Sequence, residues 1–177
     1  MLRAAQRTTE TPQTRPQTGI DLRTISKPDR TRLSGPALRT FTRIADDWHL
    51  SERDRLAVLG EPGRSTFHAW RSKAQAHAPV TLPLDTLLRL SAVLGIYKAT
   101  KLIFARPGDD LAWLTAPNTA PTFGGQSPMA LITSGTQDGL LLVRRYLDAW
   151  CCGQATGPIK GADFEQTPIP DADLVFA

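Results

Sequence analysis

The sequence is poor in cysteine and lacks a long apolar run. Its two cysteines, Cys151 and Cys152, are adjacent, and this spacing fits neither a disulfide framework nor a CxxC redox or metal site. No stretch reaches the roughly 18 consecutive apolar residues that a membrane-spanning helix needs, and the N-terminus lacks the apolar core of a secretory signal peptide. We therefore expect a cytoplasmic protein with no membrane partner, in which both cysteines are small side chains at a helix end.

Residues that would indicate a catalytic or metal site are also scarce. The three histidines, His49, His68 and His77, show no HxxxH spacing, which argues against a metal centre. Gly124 and Gly125 are preceded by no predicted strand and followed by no lysine, so they do not form a phosphate-binding loop. Because no nucleophile or acid–base pair stands out, the sequence predicts a protein that is not an enzyme and needs no cofactor.

Charge is distributed unevenly along the 177 residues. Residues 1–33 hold seven basic and three acidic side chains, which accounts for the net charge of +4. We expect them to be a disordered basic arm, either a solvated leader (or a misassigned start) or a segment that binds nucleic-acid phosphates. Residues 154–177 form an acidic tail, which has no basic side chain after Lys160. The length in between fits about one domain.

The region after the arm predicts consecutive helices. Ser34-Gly-Pro36 is typical of a helix start, and apolar residues recur at helical spacing from there to Trp48. Ser51, with Asp54 three residues later, predicts a capping box and a second helix. The turn Gly60-Glu-Pro-Gly63 then ends this helix.

A third helix is predicted from about Arg64 to Gln75, with one apolar face and a polar, basic remainder. Two helices joined by a short glycine-bearing turn are typical of a DNA-binding helix-turn-helix, whose second helix meets base edges with its early residues. An ordinary solvated amphipathic helix has the same pattern, so that alternative stays open. The candidate DNA-binding residues are Arg64, Ser65, Thr66 and His68 for bases, and Arg71 and Lys73 for phosphates.

Two more helices are predicted between Thr81 and Phe104. Thr81-Leu-Pro starts the first and Gly95 ends it, and the second runs from Ile96 to Phe104. Both are apolar enough to be buried on more than one face. Tyr97 and Phe104 are therefore core residues or part of a dimer interface.

After Phe104, proline and glycine restrict the chain to short helical turns until a last helix from about Thr136 to Trp150. No alternating run of β-branched residues occurs, so the sequence predicts an all-α fold. We expect residues 34–105 to contain the helix-turn-helix and residues 106–153 to form a small helical domain.

Several motifs in the second half of the chain occur in a characteristic order. They are Leu94-Gly-Ile-Tyr-Lys98, Trp113-Leu114, Pro117-Asn118, Phe123-Gly-Gly-Gln-Ser-Pro128 and Val143-Arg-Arg-Tyr-Leu147. In order and spacing they resemble the MbcA/ParS/Xre antitoxin family. Together with the predicted helix-turn-helix, the resemblance covers roughly residues 35–152.

The resemblance implies a type II antitoxin that neutralises a RES-domain toxin, which consumes NAD or ADP-ribosylates a target, by occluding its active site. It implies that residues 34–105 dimerise and bind operator DNA, repressing the operon, and that residues 106–153 bind the toxin within a hetero-oligomer. Gly124 and Gly125 are expected to serve the backbone turn. By position, the candidate toxin-binding residues are Trp113, Asn118, Phe123, Ser127 and Pro128.

The acidic tail suggests how such a toxin is inhibited. A pocket that binds the pyrophosphate of NAD offers cations and N–H donors, so carboxylates can take the place of phosphate oxygens. Asp171 and Asp173 would supply them, and Leu174 and Phe176 would add an apolar anchor. The alternative is a tail that is only a disordered overhang.

A second interpretation of the whole chain is a helix-turn-helix transcriptional regulator without a toxin partner. Its C-terminal half would then serve only to oligomerise. Growth rescue by co-expression with the adjacent reading frame distinguishes the two interpretations, because only an antitoxin protects a cell from its toxin.

Overall fold

The computed structural model describes residues 25–153, which form seven α-helices and no strand. These are α1 (Lys27–Asp47), α2 (Glu52–Val58), α3 (Arg64–Gln75), α4 (Leu84–Ile103), α5 (Asp109–Thr115), α6 (Pro128–Ile132) and α7 (Gln137–Cys151). The predicted all-α fold is confirmed for this part of the chain, where no helix is both long and apolar enough to cross a membrane. The predictions for residues 1–24 and 154–177 lie outside the described residues.

Helix α1 begins about two turns before the predicted start at Ser34. The hydroxyl of Ser26 caps the helix by accepting the backbone N–H of Asp29 at 3.4 Å, and a proline lies in the first turn. Ser34 is instead buried inside the helix, where its hydroxyl accepts the backbone N–H of Leu82 at 3.0 Å. Residues 27–33, which the sequence pattern assigns to the basic arm, are therefore helical.

The predicted capping box at the start of α2 is confirmed. The Ser51 hydroxyl accepts the N–H of Asp54 at 3.2 Å, and the Asp54 carboxylate accepts the N–H of Ser51 at 3.3 Å. Residues 59–63 connect α2 to α3, and this turn contains two successive residues with positive φ, Gly60 at +86° and Glu61 at +58°. The order helix, turn, helix is thus as expected.

Helix α4 continues through Gly95, so the prediction of two separate helices was wrong. A β-carbon at Gly95 would lie 0.9 Å from Nη1 of Arg144 on α7. The guanidinium is held there by Asp148, whose two carboxylate oxygens accept from Nε of Arg144 at 2.8 and 2.7 Å. The glycine therefore makes room for a side chain of a neighbouring helix instead of ending its own.

Helix α4 also lies at the centre of the hydrophobic core. It packs against α1, α5 and α7, while α1 packs against α3, and α6 packs against α5 and α7. Its buried residues face more than one neighbour; they are Thr86, Leu87, Leu90, Ala92, Val93, Ile96, Ala99, Thr100 and Ile103. One continuous core reaches from Leu38 to Leu147, so residues 34–105 and 106–153 share it.

Two buried helical glycines provide a test of this packing. A β-carbon at Gly139 of α7 would lie 2.3 Å from the carbonyl oxygen of Leu131, which is backbone and cannot move aside. At Gly35 of α1 the nearest atom would be Nη1 of Arg39 at 3.4 Å, an ordinary contact. We expect Gly139→Ala to lower the free energy of unfolding by about 1–3 kcal/mol, and Gly35→Ala to raise it by up to about 1 kcal/mol.

Urea unfolding followed by circular dichroism measures both effects. Gly35→Ala is the control, because it adds the same methyl group to a helix where space exists. Equal stability of the two variants would contradict the described packing between α7 and the end of α6.

Candidate functional site

Five aromatic side chains, three of them buried and two partly buried, pack together in the C-terminal half. They are Phe104 after α4, Trp113 on α5, Phe123 in the loop between α5 and α6, and Tyr146 and Trp150 on α7; we call them the aromatic cluster. Trp113 stacks on Tyr146 with 6.1 Å between ring centroids, and Phe123 meets Tyr146 edge-on at 4.8 Å. Such pairs contribute about 0.5–1.5 kcal/mol beyond their burial. The cluster therefore ties the loop and three helices into one unit.

The loop between α5 and α6 is organised by Asn118. The side-chain Oδ1 of Asn118 accepts the N–H of Ala120 at 2.9 Å. The backbone N–H of Asn118 donates to the carbonyl oxygen of Gln126 at 3.2 Å, and its carbonyl oxygen accepts the N–H of Gly125 at 3.1 Å. Gly124 and Gly125 have φ of +56° and +84°, as expected for a turn, and open space surrounds both β-carbon positions. The loop thus has a defined backbone and an open tip that a partner can approach closely.

The candidate toxin-binding residues of this half mostly build the loop and the core. Trp113 is 9% exposed and Phe123 is 3% exposed, and Pro128 is buried. Ser127 caps α6 with its hydroxyl, and Asn118 is half-buried. The buried members can affect a partner only by shaping the surface. The remaining candidates, Asp171, Asp173, Leu174 and Phe176, lie outside the described residues.

Leu102, near the end of α4, is an exposed residue that the sequence pattern did not single out. Its side chain is 67% exposed, and within residues 25–153 the other large hydrophobic residue that is exposed is Leu84, at 37%. Because the neighbours of Leu102 in the sequence are apolar, the pattern predicts that its side chain is buried. Sequence reasoning therefore did not identify it as a surface residue. Leu102 is two residues from Phe104 of the aromatic cluster.

An ion pair fixes α5 on the end of α4. Nζ of Lys101 lies 2.5 Å from the carboxylate of Asp110, a residue that is 4% exposed. The hydrogen bond to Asp110 raises the pKa of Lys101 above its ordinary value, which keeps the ammonium charged. The same ammonium lies 5.3 Å from the ring centroid of Tyr97, whose hydroxyl donates to Asp47 on α1 at 2.9 Å. This polar chain connects α1, α4 and α5.

The outer face of α3 is polar, basic and open to solvent. Its apolar side is buried through Phe67 and Ala74. Arg71 is half-buried, and its Nε has no hydrogen-bond partner among the described residues. The structure places the other five candidate DNA-binding residues on the exposed surface of the same helix; they are Arg64, Ser65, Thr66, His68 and Lys73.

A carboxylate from α2 faces this surface. Oε1 of Glu52 lies 3.5 Å from Nε of Arg64 and 3.6 Å from Nε2 of His68. Because these residues belong to different helices, no helical spacing rule connects them in the sequence. Glu52 therefore lies beside two of the candidate DNA-binding residues, and sequence reasoning missed it.

In the described part of the chain, few side chains are placed to bind a metal or to act as a nucleophile. Within residues 25–153, no group of three or more histidine, cysteine, aspartate or glutamate side chains is placed to hold a metal ion. Cys151 is the last residue of α7 and Cys152 follows it, both as exposed free thiols. Partial burial raises the pKa of the Cys151 thiol above its ordinary value, which disfavours the reactive thiolate.

Comparison with known proteins identifies a family for the C-terminal half. A model of the antitoxin Xre/MbcA/ParS C-terminal toxin-binding domain matches residues 101–151. These residues include Leu102, the ion pair, the loop between α5 and α6, and the whole aromatic cluster. The chain is also similar to the uncharacterised protein y4oB of Sinorhizobium fredii, with 42% identity over 114 residues, which are 63% of this chain and 81% of that protein.

Proposed function

Because the chain belongs to the Xre/MbcA/ParS antitoxin family, we propose that it binds and neutralises a toxin encoded beside it and performs no reaction of its own. The toxin is a RES-domain protein that consumes NAD or ADP-ribosylates a target, as the resemblance to this family implies. Binding occludes the active site of the toxin. In addition, the exposed basic face of α3 binds operator DNA as part of a homodimer and represses the operon.

One observation above all supports the toxin-binding role. The residues that match the toxin-binding domain, 101–151, are also the ones that the aromatic cluster and the Lys101–Asp110 ion pair assemble into one unit. This unit presents the open tip of the loop between α5 and α6 and the exposed Leu102. A rigid surface with an exposed apolar anchor suits protein binding, because little ordering entropy is lost on association.

Leu102 is the proposed apolar anchor for the toxin. Interface hot spots typically cost about 2 kcal/mol or more when removed, and a charge at a desolvated position adds to that cost. We expect Leu102→Asp to weaken the complex at least about 30-fold and to abolish growth rescue when the chain is co-expressed with the toxin.

Leu84→Asp is the matched control for this substitution. Leu84 is the other exposed large hydrophobic residue in the described part of the chain, and it lies outside the matched region. We expect the Leu84→Asp variant to retain growth rescue. Equal rescue by both variants would contradict an anchor at Leu102, while failure of the unsubstituted chain to rescue would favour a regulator without a toxin partner.

The acidic tail is the proposed inhibitory segment. Its carboxylates occupy the cationic site that binds the pyrophosphate of NAD, while residues 101–151 hold the toxin. We expect a chain lacking residues 157–177 to form the complex but to leave most of the NAD-consuming activity of the toxin intact. The measurement is NAD turnover by the purified complex, and full inhibition by the shortened chain would reject the tail as a plug.

The proposed DNA contacts of α3 separate into base and phosphate contacts. We expect Arg64→Ala to weaken binding to the promoter by about 1–3 kcal/mol and to relax base preference at one position. Lys73 is exposed in the last turn of α3. Lys73→Ala should weaken binding to all sequences and reduce the slope of log affinity against log salt concentration by about 1. Gel shifts across a salt series measure both effects, and the absence of any retarded band at low salt would remove the repressor role.

A further inference from the structure

Glu52 occupies an unusual place on the surface proposed to face DNA. It is the first residue of α2, and its carboxylate oxygen Oε1 lies within 3.5 Å of Nε of Arg64 and within 3.6 Å of Nε2 of His68. The side chains of all three residues are open to solvent, at 45%, 77% and 54% exposure respectively. An acidic group thus stands between two of the residues proposed to meet base edges.

We propose that Glu52 is a specificity-determining residue for DNA, which lowers affinity for arbitrary sequences and directs Arg64 toward guanine. This inference rests on the proposed DNA-binding role of α3 and is independent of toxin binding. Glu52 thus belongs to the surface that faces DNA, even though its carboxylate is repelled by phosphate.

The position of Glu52 affects which donors Arg64 can offer to DNA. A guanidinium has five N–H donors in a fixed plane. The contact with Glu52 lies on the Nε side of the guanidinium, at 3.5 Å, which leaves the end that carries the two terminal nitrogens for another partner. Two parallel N–H donors are what the O6 and N7 acceptors of guanine require in the major groove. The carboxylate therefore orients Arg64 for an end-on contact with guanine before DNA arrives.

The carboxylate of Glu52 also weakens contacts with DNA phosphates. Non-specific binding to DNA comes almost entirely from cations that neutralise phosphates. A carboxylate beside Arg64 cancels part of its charge and repels a phosphate that approaches it. Because specificity is a difference between two affinities, a group that penalises the wrong partner raises specificity without a new contact.

The energetics of the pair allow a clean test. Exposed ion pairs contribute only about 0–1 kcal/mol to folding stability, so removing the charge of Glu52 leaves the fold in place. Glu52→Gln keeps the size and the hydrogen-bonding capacity of the side chain. Glu61→Gln is the matched control, since Glu61 is an exposed residue in the connection between α2 and α3, and its substitution changes the net charge equally.

The experiment compares binding of the full-length chain and its variants to two duplexes. One is a fluorescent duplex from its own promoter, and the other is a scrambled duplex of identical composition, both titrated over a salt series by anisotropy. We expect Glu52→Gln to bind the scrambled duplex more tightly, to bind the promoter no better, and so to lower the preference for the promoter about tenfold. Glu61→Gln should keep the preference of the unsubstituted chain.

A double variant tests whether Glu52 acts through Arg64. In a chain that already carries Arg64→Ala, adding Glu52→Gln should lower the preference for the promoter by less than it does in the unsubstituted chain. An unchanged preference in the single Glu52→Gln variant, or an equal loss in Glu61→Gln, would overturn the inference while leaving DNA binding intact. If the unsubstituted chain showed no preference for its promoter, the proposed DNA-binding role would fall, and this inference with it.

Discussion

The close packing of α4 against α7 is the constraint on which the rest of the structure depends. Arg144 lies directly over Gly95, and Asp148 holds its guanidinium there. Any side chain at Gly95 would have to displace this guanidinium and disturb its ion pair with Asp148. Because α4 also packs against α1 and α5, and α1 packs against α3, α4 supports α5 directly and α3 through α1.

The two halves of the protein are therefore parts of one core with different surfaces. Hydrophobic residues join them along α4, and the polar chain from Asp47 through Tyr97 and Lys101 to Asp110 joins α1 to α5. The side chain of Asp110 is 6% exposed and that of Lys101 is 47% exposed, so loss of Lys101 would leave a nearly buried carboxylate without its cation. Such a link holds α5 and the aromatic cluster in place, which a surface that binds another protein requires.

Local signals in the sequence predicted much of this fold, and contacts between distant residues account for the rest. The predicted cap at Ser51 is confirmed because a cap bonds only to its own helix. Ser34 and Gly95 have the sequence pattern of a start and an end, but their partners lie on other elements. Likewise, the motif residues Trp113 and Phe123 are buried, while Leu102 and Glu52 face solvent, which only the tertiary packing decides.

The central claim is that residues 101–151 hold a co-encoded protein. The most direct measurement is to co-express the full chain with the product of the neighbouring gene, purify the complex through a tag on this chain alone, and determine its mass by light scattering. The account predicts one particle that contains both proteins in a fixed ratio. A chain that elutes alone, with only the mass of its own copies, would contradict it.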